Sequence, residues 1–370
     1  MPNLINFTNI NPISKKISSK IKDEIFTVIK KENFILGNEV KLFENDFAKL
    51  AKTKYAVGCA TGTDALTLAL MSLNLKKNDE VIVPGLTYIS TGLCVILNNY
   101  KLILADIDNE NGLISLDKIK EKITKKTKAV IPVNLYGQKV DLYKLRNIVG
   151  KKIKIIEDSA QSHFAFTGNL KKIIHNKFVY ASCYSFYPAK NLGAYGDGGI
   201  ITTNDKILYN KLLALRNLGS VKKYKHVLVG LNSRLDTIQA VVLKNKLKLI
   251  LSFNEKRRKL AKYYDKYLST IKEIKITKTD DGSARHLYVV RTKKRDKLIN
   301  YLSKKGINCI IHYPYSLNKL PAFKNKVKKS KLINSEQWAK ECLSLPLHPN
   351  LTKKQAHIVI KEIKLFFDNK

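Results

Sequence analysis

Between residues 54 and 203, short runs of Ile, Val and Leu recur with amphipathic stretches between them, and this alternation constrains the fold more than any other feature. Tyr55-Ala56-Val57, Glu80-Val81-Ile82-Val83, Leu102-Ile103-Leu104, Ala129-Val130-Ile131-Pro132-Val133 and Ile153-Lys154-Ile155-Ile156 read as strands. Asp64 to Leu73 and Thr87 to Leu97 read as helices. Strands that are apolar throughout belong in a sheet covered on both faces, and helical connections between them make that sheet mostly parallel. The expectation is an α/β architecture.

On either side of this block the pattern changes. Val40, Phe43, Phe47 and Leu50 recur at near-helical spacing, and Ser233 to Leu268 forms a long helical pattern crowded with Lys and Arg. That stretch is expected to leave a large domain, residues 1–245 with the N-terminal segment, and to lead into a small C-terminal α/β domain, residues 246–370. In the latter, Leu287-Tyr288-Val289-Val290 reads as a strand and Arg295 to Lys304 as a helix. A chain of 370 residues is long enough for two such cores.

Composition narrows the class. The 68 Lys and Arg against 30 Asp and Glu leave a formal charge of +38, which would attract polyanions. The basic residues nevertheless lie all along the chain, as in Lys15-Lys16, Lys256 to Lys259 and Lys324 to Lys331, with no recognition-helix, zinc-finger or aromatic RNA-binding signature. Such a surface would help gather an anionic small molecule, and no nucleic-acid partner is expected. Cys59, Cys94, Cys183, Cys309 and Cys342 are scattered and form no Cys-x-x-Cys pair, which argues against a disulfide framework and a zinc site. No metal is expected. The most apolar stretch near the N-terminal third, Gly92 to Leu97, is far shorter than the roughly 20 residues a bilayer demands. Met1 to Asn6 lacks the plan of a secretory signal, so the protein is expected in the cytoplasm, away from membranes.

Three segments carry chemistry. Ala60-Thr61-Gly62-Thr63-Asp64-Ala65 follows a strand and opens a helix, where free N–H groups and the helix dipole favour an anion. A threonine that merely caps the helix would look the same. Asp158, in Ile155-Ile156-Glu157-Asp158-Ser159-Ala160-Gln161, ends an apolar strand, where open parallel sheets bind ligands. Lys190 lies in Ser185-Phe186-Tyr187-Pro188-Ala189-Lys190-Asn191-Leu192-Gly193, an aromatic strand running into a proline turn and a glycine-rich loop. Apolar and aromatic surroundings lower a lysine's pKa and free its amine for attack. The glycines of that loop do not follow the strand, G-x-G-x-x-G, helix order of dinucleotide sites. A phosphate cradle, a carboxylate and a reactive lysine are the parts that pyridoxal 5'-phosphate requires, the carboxylate serving to keep the pyridine nitrogen protonated.

With these segments in place, the chain resembles the DegT/StrS family of sugar-nucleotide aminotransferases, from about Gly37 to the C-terminus. Gly62-Thr63-Asp64-Ala65-Leu66, Glu157-Asp158-Ser159-Ala160-Gln161, Ser185 to Leu192 and Asn232-Ser233-Arg234-Leu235-Asp236 carry the likeness. His286-Leu287-Tyr288-Val289-Val290-Arg291, His312-Tyr313-Pro314 and Leu343-Ser344-Leu345-Pro346 extend it. The resemblance implies the aspartate-aminotransferase-like fold (fold type I) and a homodimer with shared active sites. It implies Lys190 as the Schiff-base lysine and Asp158 on the pyridine nitrogen. Gln161 would lie near the ring oxygen, and Tyr88 would stack on the ring. Gly62, Thr63 and Ser185 would hold the phosphate, and Asn232 would reach the phosphate of the neighbouring subunit's cofactor. His163, Tyr187 and His312 are candidates for the sugar pocket. The partners implied are L-glutamate and a nucleotide-linked keto-sugar, with pyridoxamine phosphate formed between the two half-reactions.

Relatives that act as sugar dehydrases replace the lysine with histidine, so Lys190 favours transamination. Gly193-Ala194-Tyr195-Gly196-Asp197-Gly198-Gly199 resembles the branch acting on dTDP-linked 3-keto-6-deoxyhexoses, whereas the 4-keto branch more often has Thr and Glu-Gly-Gly there. Two segments depart from the family's pattern. Ser162-His163-Phe164 places an aromatic ring where a glycine is common, and that ring would fill space near the cofactor's edge. Asn6 to Ile10 departs from the usual Pro-Phe-x-Asp-Leu opening. A basic nucleic-acid-binding protein and a non-catalytic cofactor-binding relative are the alternatives from other classes.

Overall fold

A computed structural model describes residues 4–166, 178–327 and 330–368; Met1 to Asn3 and residues 328 and 329 of the basic run lie outside the described residues. Seven strands form the main sheet: β1 (Tyr55–Cys59), β2 (Glu80–Pro84), β3 (Lys101–Ala105), β4 (Thr127–Val130), β5 (Lys154–Asp158), β6 (Ala181–Ser185) and β7 (Gly199–Thr203). Their order is β1-β7-β6-β5-β4-β2-β3. Every pairing from β6 through β5, β4 and β2 to β3 is parallel, and β7 runs antiparallel to both β6 and β1. The reversal of β7 is not foreshadowed by the sequence, and β4 ends three residues before the expected Val133.

The strands alternate their side chains between two apolar layers, which explains why most of their positions are apolar. Val57, Val83, Ile156, Cys183 and Ile201 face α3 (Gly62–Met71 in the chain), which contributes Ala65, Leu66, Leu68 and Ala69. Their neighbours Ala56, Tyr184 and Ile200 pack on the opposite face against Val40, Phe43 and Phe47 of α2 (Asn38–Leu50), which follows α1 (Lys15–Lys31). Further along that face, Ile82, Val130 and Ile155 meet α5 (Leu116–Lys122) and α6 (Leu142–Val149), while α4 (Ile89–Leu97) joins α3 on the first face. Each fully buried Val, Leu, Ile or Phe is worth about 1.5–3 kcal/mol relative to exposure.

After α7 (Lys206–Leu215) comes a hairpin of β8 (Ser220–Lys222) and β9 (Lys225–His226). The single helical pattern expected over Ser233 to Leu268 is two helices, α8 (Thr237–Leu247) and α9 (Ile250–Leu268). The break has a packing cause: α8 lies on α1 and α2, whereas α9 turns to meet α12 (Lys353–Asp368). A second sheet, β10 (Lys275–Ile276), β11 (Tyr288–Arg291) and β12 (Cys342–Leu345), is antiparallel throughout. Its core joins Tyr264, Leu268, Tyr288, Leu298 and Leu302 to Val359, Ile363 and Phe367, with α10 (Arg295–Lys304) supplying the middle pair. Ile5 from the start of the chain also packs into this cluster, bridging to Ile307. Just before β12, α11 (Ile333–Glu341) carries Trp338, which is fully buried. No helix among the described residues is long and apolar enough to cross a membrane.

Candidate active site

The carboxyl ends of β1, β5 and β6 and the start of the antiparallel β7 meet at one edge of the main sheet, the position where open α/β sheets bind ligands. A cavity of about 390 Å³ opens there. Its lining brings together Gly62, Thr63, Tyr88, Asp158, Gln161, Ser185, Tyr187, Lys190 and His312, nine of the residues singled out from the sequence. Thr61, Thr91, Asp197, His286 and Tyr313 line it as well.

One wall is the N-terminus of α3. Thr61 is the capping residue, its hydroxyl accepting from the Asp64 N–H at 2.9 Å, so Thr63 is not the cap. The N–H groups of Gly62 and Thr63 are among those a helix leaves without an internal acceptor. Thr63 Oγ1 instead lies 2.7 Å from Ser90 Oγ at the cavity wall. Gly62 is required by closeness: a Cβ there would sit 2.5 Å from Ser185 Cβ. Ser233 Oγ accepts from the Ala60 N–H at 3.1 Å and donates to Asp64 at 2.7 Å, fixing the turn from β1 into α3.

Asp158 is the last residue of β5 and is buried. Its Oδ2 accepts from the Thr91 hydroxyl at 2.8 Å, and its Oδ1 accepts from the Ala160 N–H at 3.1 Å. Burial pushes its carboxyl above the ordinary value, and the Thr91 and Ala160 bonds with the nearby Lys190 charge work against that. Among the described residues Asp158 has no ion-pair partner within salt-bridge distance. Lys190 sits in the loop after β6, where its N–H donates to the Tyr187 carbonyl at 2.8 Å and the Ala194 N–H returns to Phe186 at 2.8 Å. Burial lowers its amine from 10.5 to about 8, while Asp158 pulls the other way.

Gln161 is held at both ends. Its Oε1 accepts from the Tyr136 N–H at 2.7 Å, and its Nε2 donates to the Tyr313 hydroxyl at 2.7 Å. Tyr136 in turn donates to the His312 carbonyl at 2.6 Å and accepts from Trp338 Nε1 at 3.1 Å, so the segment bearing His312 and Tyr313 is tied to the turn at Tyr136 and to α11. Tyr88, which caps α4, is 57% exposed at the cavity mouth with its ring 5.9 Å from that of Tyr313. Tyr187 is 56% exposed at the same rim.

Three expected positions fall elsewhere. His163 does not line the cavity: its ring is fully buried between Tyr184 at 5.6 Å and Phe186 at 5.8 Å, and burial lowers its pKa to about 3. Phe164 turns its ring onto Phe47, 5.0 Å away, and so occupies the α2 layer instead of the cavity. Asn232 is exposed, forms a bridge with Asn217 and is not part of this chain's cavity wall. Thr91, Asp197, His286 and Tyr313 are not singled out by the sequence pattern; His286 stands in a motif that carries the family likeness but reads there as an ordinary residue leading into β11.

The residues present fit pyridoxal phosphate: an anion cradle that a Cβ at Gly62 would fill, a buried carboxylate with no salt bridge among the described residues, and a lysine held near 8 share one cavity. Fold and site define a pyridoxal-phosphate-dependent enzyme of fold type I. Residues 15–364 match the DegT/DnrJ/EryC1/StrS aminotransferase family. The chain is 39% identical over 366 residues to the dTDP-3-amino-3,6-dideoxy-alpha-D-galactopyranose transaminase of Aneurinibacillus thermoaerophilus, covering 98% of this chain and 99% of that one. It is 37% identical over 359 residues to the pleiotropic regulatory protein of Geobacillus stearothermophilus, covering 94% and 95%. The crystal structure of S. venezuelae DesV in complex with a ketimine intermediate superposes with a TM-score of 0.93 at 33% identity, over 100% of this chain and 99% of that one. The chain belongs to the DegT/DnrJ/EryC1/StrS aminotransferase family and is a pyridoxal-phosphate-dependent sugar-nucleotide aminotransferase.

Proposed function

We propose that the enzyme moves the amino group of L-glutamate onto C3 of a dTDP-linked 3-keto-6-deoxyhexose, giving a dTDP-3-amino-3,6-dideoxyhexose. The convergence of Lys190, Asp158 and the α3 N-terminus on one cavity carries the chemistry. The loop Gly193 to Gly199 and the relative named as a dTDP-3-amino-3,6-dideoxygalactose transaminase support C3.

Pyridoxal phosphate, when bound, supplies an electron sink for the carbon that loses its proton. The chain's own groups do the rest. Gly62 and Thr63 N–H groups, with the Thr63 and Ser185 hydroxyls, would hold the phosphate, and Asp158 would face the pyridine nitrogen and favour its protonated form. Gln161 commits one amide hydrogen to Tyr313, and the other would be free for the ring oxygen. Tyr88, at the cavity mouth, would cover the ring face. Lys190 would anchor the cofactor, and its free amine, near 8, is suited to hold and move a proton at the donor's α-carbon. Tyr187 and His312 stand at the rim for the sugar.

Asn232 and a second copy of the chain complete the site in this reading. Support comes from apolar residues left uncovered on one copy: Phe26 and Ile29 of α1, and Val221, Tyr224, Val227 and Val229 around the β8–β9 hairpin. The test is spectroscopic. The purified protein should carry the cofactor's visible band, and L-glutamate should shift it to shorter wavelength. A dTDP-3-keto-6-deoxyhexose should then restore it. Restoration by a 4-keto sugar alone would move the reaction to C4, and a protein that takes up no cofactor would sink the reading.

A further inference from the structure

His286 lines the cavity with Lys190, and the chain fixes which of its ring nitrogens carries the hydrogen. Backbone carbonyls cannot donate, so a network that ends on them has one direction. Asn254 Nδ2 donates to the His163 carbonyl at 2.9 Å, which leaves Asn254 Oδ1 to accept from Asn191 Nδ2 at 2.8 Å. Asn191 Nδ2 gives its second hydrogen to the Ala284 carbonyl at 2.8 Å. Asn191 Oδ1 can therefore only accept, and the group 3.0 Å from it is His286 Nδ1. Nδ1 carries the hydrogen. Because a neutral imidazole has one N–H, Nε2 is a bare acceptor.

The ring's setting keeps it neutral and in place. Burial pushes it well below its ordinary pKa, and the surrounding Lys190, Arg257, His312 and His163 push the same way. Its backbone is clamped: Arg257 on α9 donates to the His286 carbonyl at 3.2 Å, and a Cβ at Gly137 would lie 2.7 Å from the His286 nitrogen. Nε2 has no hydrogen-bond partner among the described residues, yet it is not sealed in as both ring nitrogens of His163 are. Lys190 Nζ likewise has no hydrogen-bond or ion-pair partner among the described residues, and Asp158, whose charge acts on it, makes no salt bridge with it. An ammonium in a cavity needs an acceptor.

We infer that His286 is a positioning residue for Lys190: the two groups are unpaired in this structure but line one cavity, and a turn of the Lys190 side chain brings its amine onto the bare Nε2, which then accepts its hydrogen bond and holds it there. This rests on the reading of Lys190 as the proton carrier. Asn191, the neighbour of Lys190 in the chain, thus sets the tautomer of the ring that orients Lys190.

The test is a pH titration of the full-length, cofactor-free protein labelled with ¹⁵N-histidine, His286 being assigned by its loss in His286→Gln. The expected spectrum has Nδ1 protonated and Nε2 bare at neutral pH. The Nε2 shift should inflect once, near 8, as Lys190 loses its proton. Lys190→Met should abolish that inflection. A protonated Nε2, a flat Nε2 shift, or an inflection that survives Lys190→Met would each overturn the proposal. None of these outcomes depends on cofactor binding, so the proposed function stands or falls separately. In the loaded enzyme, His286→Leu should lower kcat by roughly tenfold or more with the keto-sugar KM within about twofold, and His286→Gln should recover part of the loss. A raised KM at unchanged kcat would make His286 a sugar-binding residue and end the positioning role.

Discussion

The Thr91 hydroxyl donates to Asp158 Oδ2 at 2.8 Å, and this bond works against the burial that pushes the carboxyl up. Thr91→Val keeps the shape and removes the donor. The Asp158 pKa should climb further, because a hydrogen bond to the charged form favours that form. A bond to a charged group contributes about 1.5–3 kcal/mol, so affinity for pyridoxal phosphate should fall by roughly 10- to 100-fold. The wild-type affinity should weaken as pH drops through the Asp158 pKa, and the variant's should weaken at a higher pH. Titration of the cofactor-free protein at several pH values, followed by fluorescence, measures both. An unchanged dissociation constant would remove Thr91 from the site.

Gly62→Ala tests the phosphate cradle. The new Cβ would lie 2.5 Å from Ser185 Cβ and 3.1 Å from Ser185 Cα, so the end of β6 must shift. Overpacking of this kind costs about 1–3 kcal/mol. The expected signature is selective: binding of pyridoxal phosphate should weaken more than binding of pyridoxal, which lacks the phosphate. Equal weakening of the two would mean that α3 does not hold the phosphate.

The amine of Lys190 should titrate near 8 instead of 10.5, because burial disfavours its charged form. In cofactor-free protein, its rate of reaction with a carbonyl reagent should rise about tenfold per pH unit below 8 and level off above it. Asp158 raises the Lys190 pKa, so Asp158→Asn should move the midpoint lower still. Mass spectrometry of the peptide bearing Lys190 reads the rate at each pH. A rate still climbing at pH 10 would show an ordinary, solvated lysine.

The features legible in the sequence are those whose cause is local. The apolar run of β5 gives way to Glu157 and Asp158 at the strand's end, and the motif around Lys190 contains the proline turn and the glycines that shape its loop. What could not be read depends on distant partners. No breaking residue marks positions 248 and 249; the chain bends there because α8 and α9 pack on different layers. The direction of β7 is set by the loop that returns from Lys190, not by Gly199 to Thr203 themselves. His163 is held away from the cavity by Tyr184 and Phe186, and His286 is brought to it through Asn191, Asn254 and Arg257. A histidine's spacing in the sequence says nothing of either.

The buried pair of Lys139 and Glu157 anchors the strand that presents Asp158. Glu157 immediately precedes Asp158 on β5 and is joined by Lys139, by Asn134 Nδ2 at 2.8 Å and by the Ser182 hydroxyl at 2.7 Å. Burial pushes its carboxyl up, but these partners, Lys139 first, outweigh it and leave the group below its ordinary value. A carboxylate depressed on folding contributes stability that is present above its unfolded pKa and is lost as pH falls through its folded one. Lys139→Met leaves the charge buried without its cation and should cost about 3–5 kcal/mol near pH 7. With Lys139 gone, the carboxyl should titrate higher and enter the fold neutral in mild acid, so the difference from wild type should shrink there. Adding Glu157→Gln removes the stranded charge and should recover much of the stability at pH 7, since the amide can still meet Asn134 and Ser182. Urea unfolding of the three proteins at neutral and mildly acid pH decides it: a double variant no more stable than Lys139→Met would show that Lys139 acts by packing its stem and not by its charge.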